Sequence, residues 1–202
     1  MNGEGNGNNL IPPHGGYKKL VTYKLGNLIY DATFAFCSRW IPKNDRTYDQ
    51  MVQAARSGVA NIIEGSEASA TSKKTELKLT NVAKASQEEL LSDYRAILRQ
   101  HNLIEWESQS FFVKLIRQSR PENLDELRRI MRSILSDMSD RSDLSDKSLE
   151  VACNTMITLI NQETYLLGRQ IARLSKDFES NGGFTERMYH TRLNCRNNGK
   201  EL

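Results

Sequence analysis

Four long stretches of this chain repeat apolar residues at three-and-four spacing, a period that puts side chains on one face of an α-helix. Tyr48, Met51, Val52, Ala55, Val59, Ile62 and Ile63 form one such stripe, so a helix is expected from Arg46 to about Glu64. Its last turns are crowded with small residues. Ser57, Gly58 and Ala60 contribute little packing of their own and let a neighbouring element come close, while Gly65 is expected to end the helix in the left-handed conformation. A first helix is read from Tyr17 to Ile41, closed by Pro42, and a third from Ser72 to Gln100, capped by Thr71 or Ser72, with Leu79, Val82, Ser86, Leu90, Tyr94 and Ile97 in step. The fourth runs from Leu149 to Glu179, with Met156, Ile160, Leu167, Ile171, Leu174 and Phe178 as its stripe. The connections at 42–45 and 66–71 are short, which favours antiparallel neighbours. The expected fold is therefore all-α, an up-and-down antiparallel four-helix bundle.

Two segments depart from that plan. The insert, about residues 105–148, carries a short helix from Trp106 to Arg117 and another starting at Pro121, striped by Leu127, Ile130, Met131, Ile134 and Leu135; the polar run Asp137 to Asp146 reads as a loop. From Pro121 to Glu150 there are eight acids and five bases, whereas Tyr17 to Arg46 has six bases and two acids, an asymmetry able to pair the two segments. The first helix shows two stripes. Val21, Leu25, Leu28, Ala32 and Phe36 lie on one side and Tyr23, Tyr30, Phe34 and Cys37 nearly opposite, at about 100° per residue. One stripe suffices for a core, so the aromatic one needs a cover, either the insert or another subunit, and Tyr23, Tyr30, Phe34 and Cys37 are the candidate oligomer interface.

Arg56-Ser57, Asn61-Ile62 and Glu64-Gly65, followed by a helix carrying Glu76, Ala83 to Ser86 and Glu89-Leu90, resemble the four-helix-bundle family encoded by intervening sequences in bacterial 23S ribosomal RNA genes. The likeness is greatest to variants with a suffix after the bundle, whose patterns stand here at Glu64 to Ser66, Thr71 to Lys73, Lys78 to Ala83 and Glu88 to Tyr94. It spans roughly residues 17–104 and 149–196. Where the plain family has an arginine three residues after Glu-Gly, this chain has Ala68, and no role of that arginine transfers. The resemblance implies a ring-forming homo-oligomer, a pentamer as in the related accessory protein of diversity-generating retroelements, a bacterial cytoplasmic setting and nucleic-acid binding. Residues 1–16 read as a disordered lead-in, 17–180 as the bundle with its insert, and 181–202 as a basic suffix.

The 202 residues, 38% hydrophobic and 26% charged, are ordinary for a soluble globular chain. Cys37, Cys153 and Cys195 are odd in number and far apart, which fits free thiols in a reducing compartment such as the cytoplasm. The N-terminus lacks the pattern of a secretory signal, and no run approaches the ~20 apolar residues of a membrane span. His14, His101 and His190 are isolated from other metal ligands, and there is no P-loop, dinucleotide fingerprint, nucleophile elbow or Glu-x-x-His pair. Glu64 and Glu89 are the one carboxylate pair that helix packing brings into consideration. The reading is a non-enzyme with no cofactor, no metal and no small-molecule substrate.

A net charge of +3 says little about a polyanionic partner, so the placement of the bases matters more. Arg169, Arg173 and Lys176 line the end of the fourth helix, where the dipole favours them, whereas Lys73, Lys74 and Lys78 sit in the first turns of the third, where it does not. After Gly182-Gly183, the suffix interleaves Arg187, Arg192 and Arg196 with Phe184, Tyr189 and His190, a mixture suited to phosphates and base stacking but equally to docking on a protein. Arg56, Lys73, Lys74, Arg169, Arg173, Lys176, Arg187, Arg192 and Arg196 are thus the candidate RNA or DNA contacts, Arg56 on the resemblance alone. The alternative is a protein-interaction scaffold in which the suffix arginines bind acids of the insert such as Asp125, Asp137 and Asp140.

Overall fold

A computed structural model describes residues 15–138 and 144–198. Among them every regular element is helical. A 3₁₀ turn, Gly16–Lys19, leads into α1 (Val21–Trp40), α2 (Arg46–Ala68), α3 (Lys73–Gln100), α4 (Phe111–Ser119), α5 (Leu124–Asp137), α6 (Leu144–Asn181) and α7 (Phe184–Asn198). The expected lead-in falls almost wholly outside the described residues.

Local chemistry sets most of the starts. Asp45 Oδ1 accepts from Thr47 N at 2.8 Å to open α2, and Ser72 Oγ accepts from Thr75 N at 3.1 Å to open α3. Asn123 caps α5 while Glu126 reaches back to the Glu122 amide, a reciprocal cap that starts the helix three residues after Pro121. Gly65 does not end α2. It is a buried helical residue packed on Leu79 and Thr80 of α3, and the helix runs on to Ala68. α6 begins five residues earlier than its apolar stripe indicates, because Ser145 and Asp146 are exposed and a polar outer face does not interrupt a helix. The rest of the expected loop, residues 139–143, lies outside the described residues.

α2 packs most extensively on α3, α3 on α6, and α1 lies against both α2 and α6. Side-chain pairs fix the directions. Ser57 meets Ser86, and Gly65 meets Leu79, so α2 and α3 are antiparallel. Cys37 meets Met51 and Gly26 meets Val59 between α1 and α2, while Thr22 meets Gln170 and Gly26 meets Glu163 between α1 and α6. The larger core cluster runs from Ile29, Phe36 and Met51 through Leu90, Tyr94 and Ile160 into Ile116, Leu127 and Ile134 of the insert. A separate small cluster of Ile62, Ala83 and Leu167 lies toward the other end, with Leu20 and Tyr23 against it.

The phase of α1 differs from the sequence reading. Its buried centre is Thr22, Gly26, Ile29, Thr33 and Phe36, and the two expected stripes are its flanks. Cys37 is fully buried, its thiol 4.0 Å from Met51 Sδ, and so leaves the candidate interface. Tyr23 and Tyr30 are half-buried, and Phe34, 53% exposed, is the open part of the aromatic flank. The insert covers the other flank, with α5 facing Ala32, Ala35 and Phe36. It turns Arg128 and Arg132 toward Arg39, and no ion pair joins α1 to α5 among the described residues, so the charge asymmetry does not pair them. In α3, Val82 points outward at 39% exposure, and Thr80, Ala83 and Gln87 take its place in the interior.

Candidate nucleic-acid interface

The antiparallel packing gathers basic residues at one end of the molecule. Lys84 of α3 lies against Gly168 of α6, so the start of α3 and the last turns of α6 share a level. Lys74 and Lys78 therefore stand at the same end as Arg169, Arg173 and Lys176, and all five are exposed. Thr22 donates to Gln170 Oε1 at 3.1 Å, which brings the start of α1 with exposed Lys19 and Lys24 to that end as well. Arg173 follows Gln170 by one turn, so it lies on the flank of α6 nearest α1.

Not every candidate joins this surface. Lys73 Nζ sits 2.9 Å from Glu76 Oε2, an ion pair that offsets its unfavourable place at a helix start. Arg56 is exposed near the middle of α2, a separate position on the molecule. Arg192 and Arg196 are exposed on α7, which begins after Gly182 at φ 62°, where a Cβ would be strained, and Glu186 accepts from the Gly183 amide. Arg187 belongs to α7, and its side chain lies outside the described ones. Asp125 is bound to Arg128 at 3.3 Å, and among the described residues no ion pair joins Arg192 or Arg196 to Asp125 or Asp137; Asp140 lies outside them. Glu64 and Glu89 are exposed at different levels, Glu89 beside Arg46, Asp49 and Ser57 in an open polar groove, so packing does not bring them together. The described residues contain no group of three or more metal-ligating side chains, and no described helix is long and apolar enough to cross a membrane.

The Arg56 to Gly65 stretch divides by role. Asn61 Nδ2 donates to Ser57 O at 2.8 Å and to Ser57 Oγ at 3.2 Å, and that hydroxyl meets Ser86 Oγ of α3 at 3.0 Å. With Ile62 and Gly65 buried, these residues join two helices, and Arg56 and Glu64 alone of the motif point outward.

Sequence reasoning missed a polar layer inside the core. Gln87 and Glu163 are both fully buried, and none of their side-chain nitrogen or oxygen atoms has a hydrogen-bond partner among the described residues. Burial pushes the Glu163 carboxyl well above the usual glutamate range. Two glycines make the room. A Cβ on Gly26 would lie 2.6 Å from Glu163 Oε1, and one on Gly58 would lie 2.4 Å from Gln87 Nε2. The helix pairings place these four residues at one level, between the large core cluster and the small one. The available signal was a polar residue falling in each buried stripe opposite a glycine.

Comparison with protein-family models, with curated proteins and with solved structures finds no match.

Proposed function

We propose that α1, α2, α3 and α6 form an up-and-down four-helix bundle of the kind the sequence resembles, acting as a non-enzymatic, cytoplasmic nucleic-acid-binding accessory protein. The observation that carries this reading is the convergence of Lys74, Lys78, Arg169, Arg173 and Lys176 on one end. The suffix adds Arg192 and Arg196 beside Tyr189, which is 61% exposed and available to stack on a base. Contacts of this type are largely sequence-independent, because they read phosphate charge. Assembly into a homo-oligomer, a pentamer by resemblance, multiplies the effect: each copy repeats the basic end, and several modest sites act together on one strand. The Phe34 side of α1 is the proposed contact between copies. A purely protein-binding scaffold, in which the suffix arginines bind acids of the insert, is the second reading.

The test is a filter-binding titration of structured RNA, single-stranded DNA and duplex DNA at two salt concentrations. The logarithm of the binding constant falls linearly with the logarithm of salt, by about 0.7 per phosphate contact on single strands. Arg169→Ala with Arg173→Ala flattens that slope while light scattering shows the oligomer intact. Absence of binding to all three at low salt overturns the function, and a monomeric wild-type protein overturns the assembly.

A further inference from the structure

The insert closes over α1 and α6 without filling the space between them. A cavity of about 340 Å³ lies there, bounded by α1, α5 and the start of α6. That volume falls in the ~300–1,000 Å³ range of small-molecule sites, which in helical proteins commonly lie between helices. Its walls include Phe36, Leu127, Met131 and Met156, and the alanines Ala32 and Ala152 leave it open where larger side chains would fill it.

Among the described residues, every charged side chain that lines the cavity is an arginine, namely Arg39, Arg128 and Arg132. The Arg39 guanidinium lies 4.7 Å from the centre of the Trp40 ring, which also lines the cavity. Arg128 meets Asp125 at 3.3 Å, but both side chains are more than half exposed, and a pair spaced by three residues is worth only a few tenths of a kcal/mol. Three like charges around one hollow repel one another, an arrangement that a bound anion relieves. An apolar interior with guanidiniums around it matches a molecule with the opposite distribution.

We infer that the cavity between α1, α5 and α6 binds a single-chain amphiphile with a carboxylate head, its chain among Phe36, Leu127, Met131 and Met156 and its head on Arg39, Arg128 and Arg132. The site is distinct from the basic end. A guanidinium presents paired donors that suit the two oxygens of a carboxylate.

Calorimetric titration of the full chain with decanoate, 1-decanol and acetate, below the concentration at which decanoate self-associates, tests the inference. Decanoate binds saturably at one per chain, decanol binds at least about tenfold more weakly, and acetate shows no measurable heat. Arg39→Ala with Arg128→Ala brings decanoate down to the decanol level and leaves decanol unchanged. Ala152→Phe fills the hollow and lowers both affinities at least about tenfold, with circular dichroism confirming the helices; if that variant does not fold, the arginine pair decides. No saturable decanoate binding, equal affinity for decanol, or binding only to anionic phospholipid vesicles each overturns the inference.

Discussion

A carboxyl without a hydrogen-bond partner inside a helix-packed core lowers its cost in one way, by holding its proton. Glu163 is in that position, with its folded value raised well above the 4.5 of the free side chain. The proton is bound more tightly in the folded state, so the contribution of Glu163 to stability is full below about pH 4.5 and is lost as pH rises through the folded value. Glu163→Gln removes the ionisable group. The variant is expected to unfold at higher urea concentration at pH 7 and to flatten the fall in stability as pH rises above about 4.5. Equal urea profiles for the two proteins across that range would refute this account. Gly58 makes the complementary case. Gly58→Ala drives a Cβ into the buried amide of Gln87, at an expected cost of about 1–3 kcal/mol, and Gln87→Ala in the same chain recovers part of it. Additive losses in that double-variant cycle would show that the close approach is not what Gly58 serves. Burial also pushes the Cys37 and Cys153 thiols up to about 12, which leaves Cys195, exposed on α7, as the thiol open to reagents.

The helices were legible in the sequence wherever apolar residues dominate the buried stripe, as in α2 and most of α6, although Phe178, expected on the core stripe of α6, is 38% exposed near the end of that helix. α1 was misread because its centre is Thr22, Gly26 and Thr33, residues that look like a polar divide between two stripes. They are buried for specific partners. Tyr94 OH donates to Thr33 Oγ1 at 3.1 Å, and Thr22 holds Gln170. The insert was legible as two helices, though the first starts at Phe111, capped by Ser110, and not at Trp106 as expected, and how the insert is tied down was not legible. Asn154 of α6, 2% exposed, accepts from the Trp106 amide at 2.7 Å and donates to Ile104 O at 2.8 Å, while Glu150 accepts from the Trp106 indole at 3.1 Å. No local pattern announces a bond across some fifty residues of chain. Asn154→Ala leaves the backbone groups of Ile104 and Trp106 unpaired, at a cost of about 1–3 kcal/mol. Limited proteolysis should then cut residues 101–110 earlier than in the parent; an unchanged cleavage pattern would mean that other contacts hold this linker.

The basic residues were visible as short runs, but their meeting at one end depends on helix direction and register, which no single run contains. The same geometry puts the polar layer of Gly26, Gly58, Gln87 and Glu163 between two apolar clusters of unequal size. On the insert side the core is broad. On the basic side the cluster has Ile62, Ala83 and Leu167 as its buried members, with Leu20 and Tyr23 packed on it, while Ala70 and Leu174 are buried outside it. Cooperative unfolding depends on continuous packing, and a weakly packed unit separated from the main core opens at a lower free energy than the rest. The layer is thus expected to act as a seam along which the molecule parts. Native-state hydrogen exchange is expected to show amides of residues 60–67, 76–82 and 166–176 opening as one group, ahead of residues 28–37, 88–98 and 150–160; uniform protection across both sets would count against the seam. Glu163→Gln should narrow the gap between the two groups. On that expectation the end that gathers the positive charge is also the end that opens first, while the other end keeps the helices together.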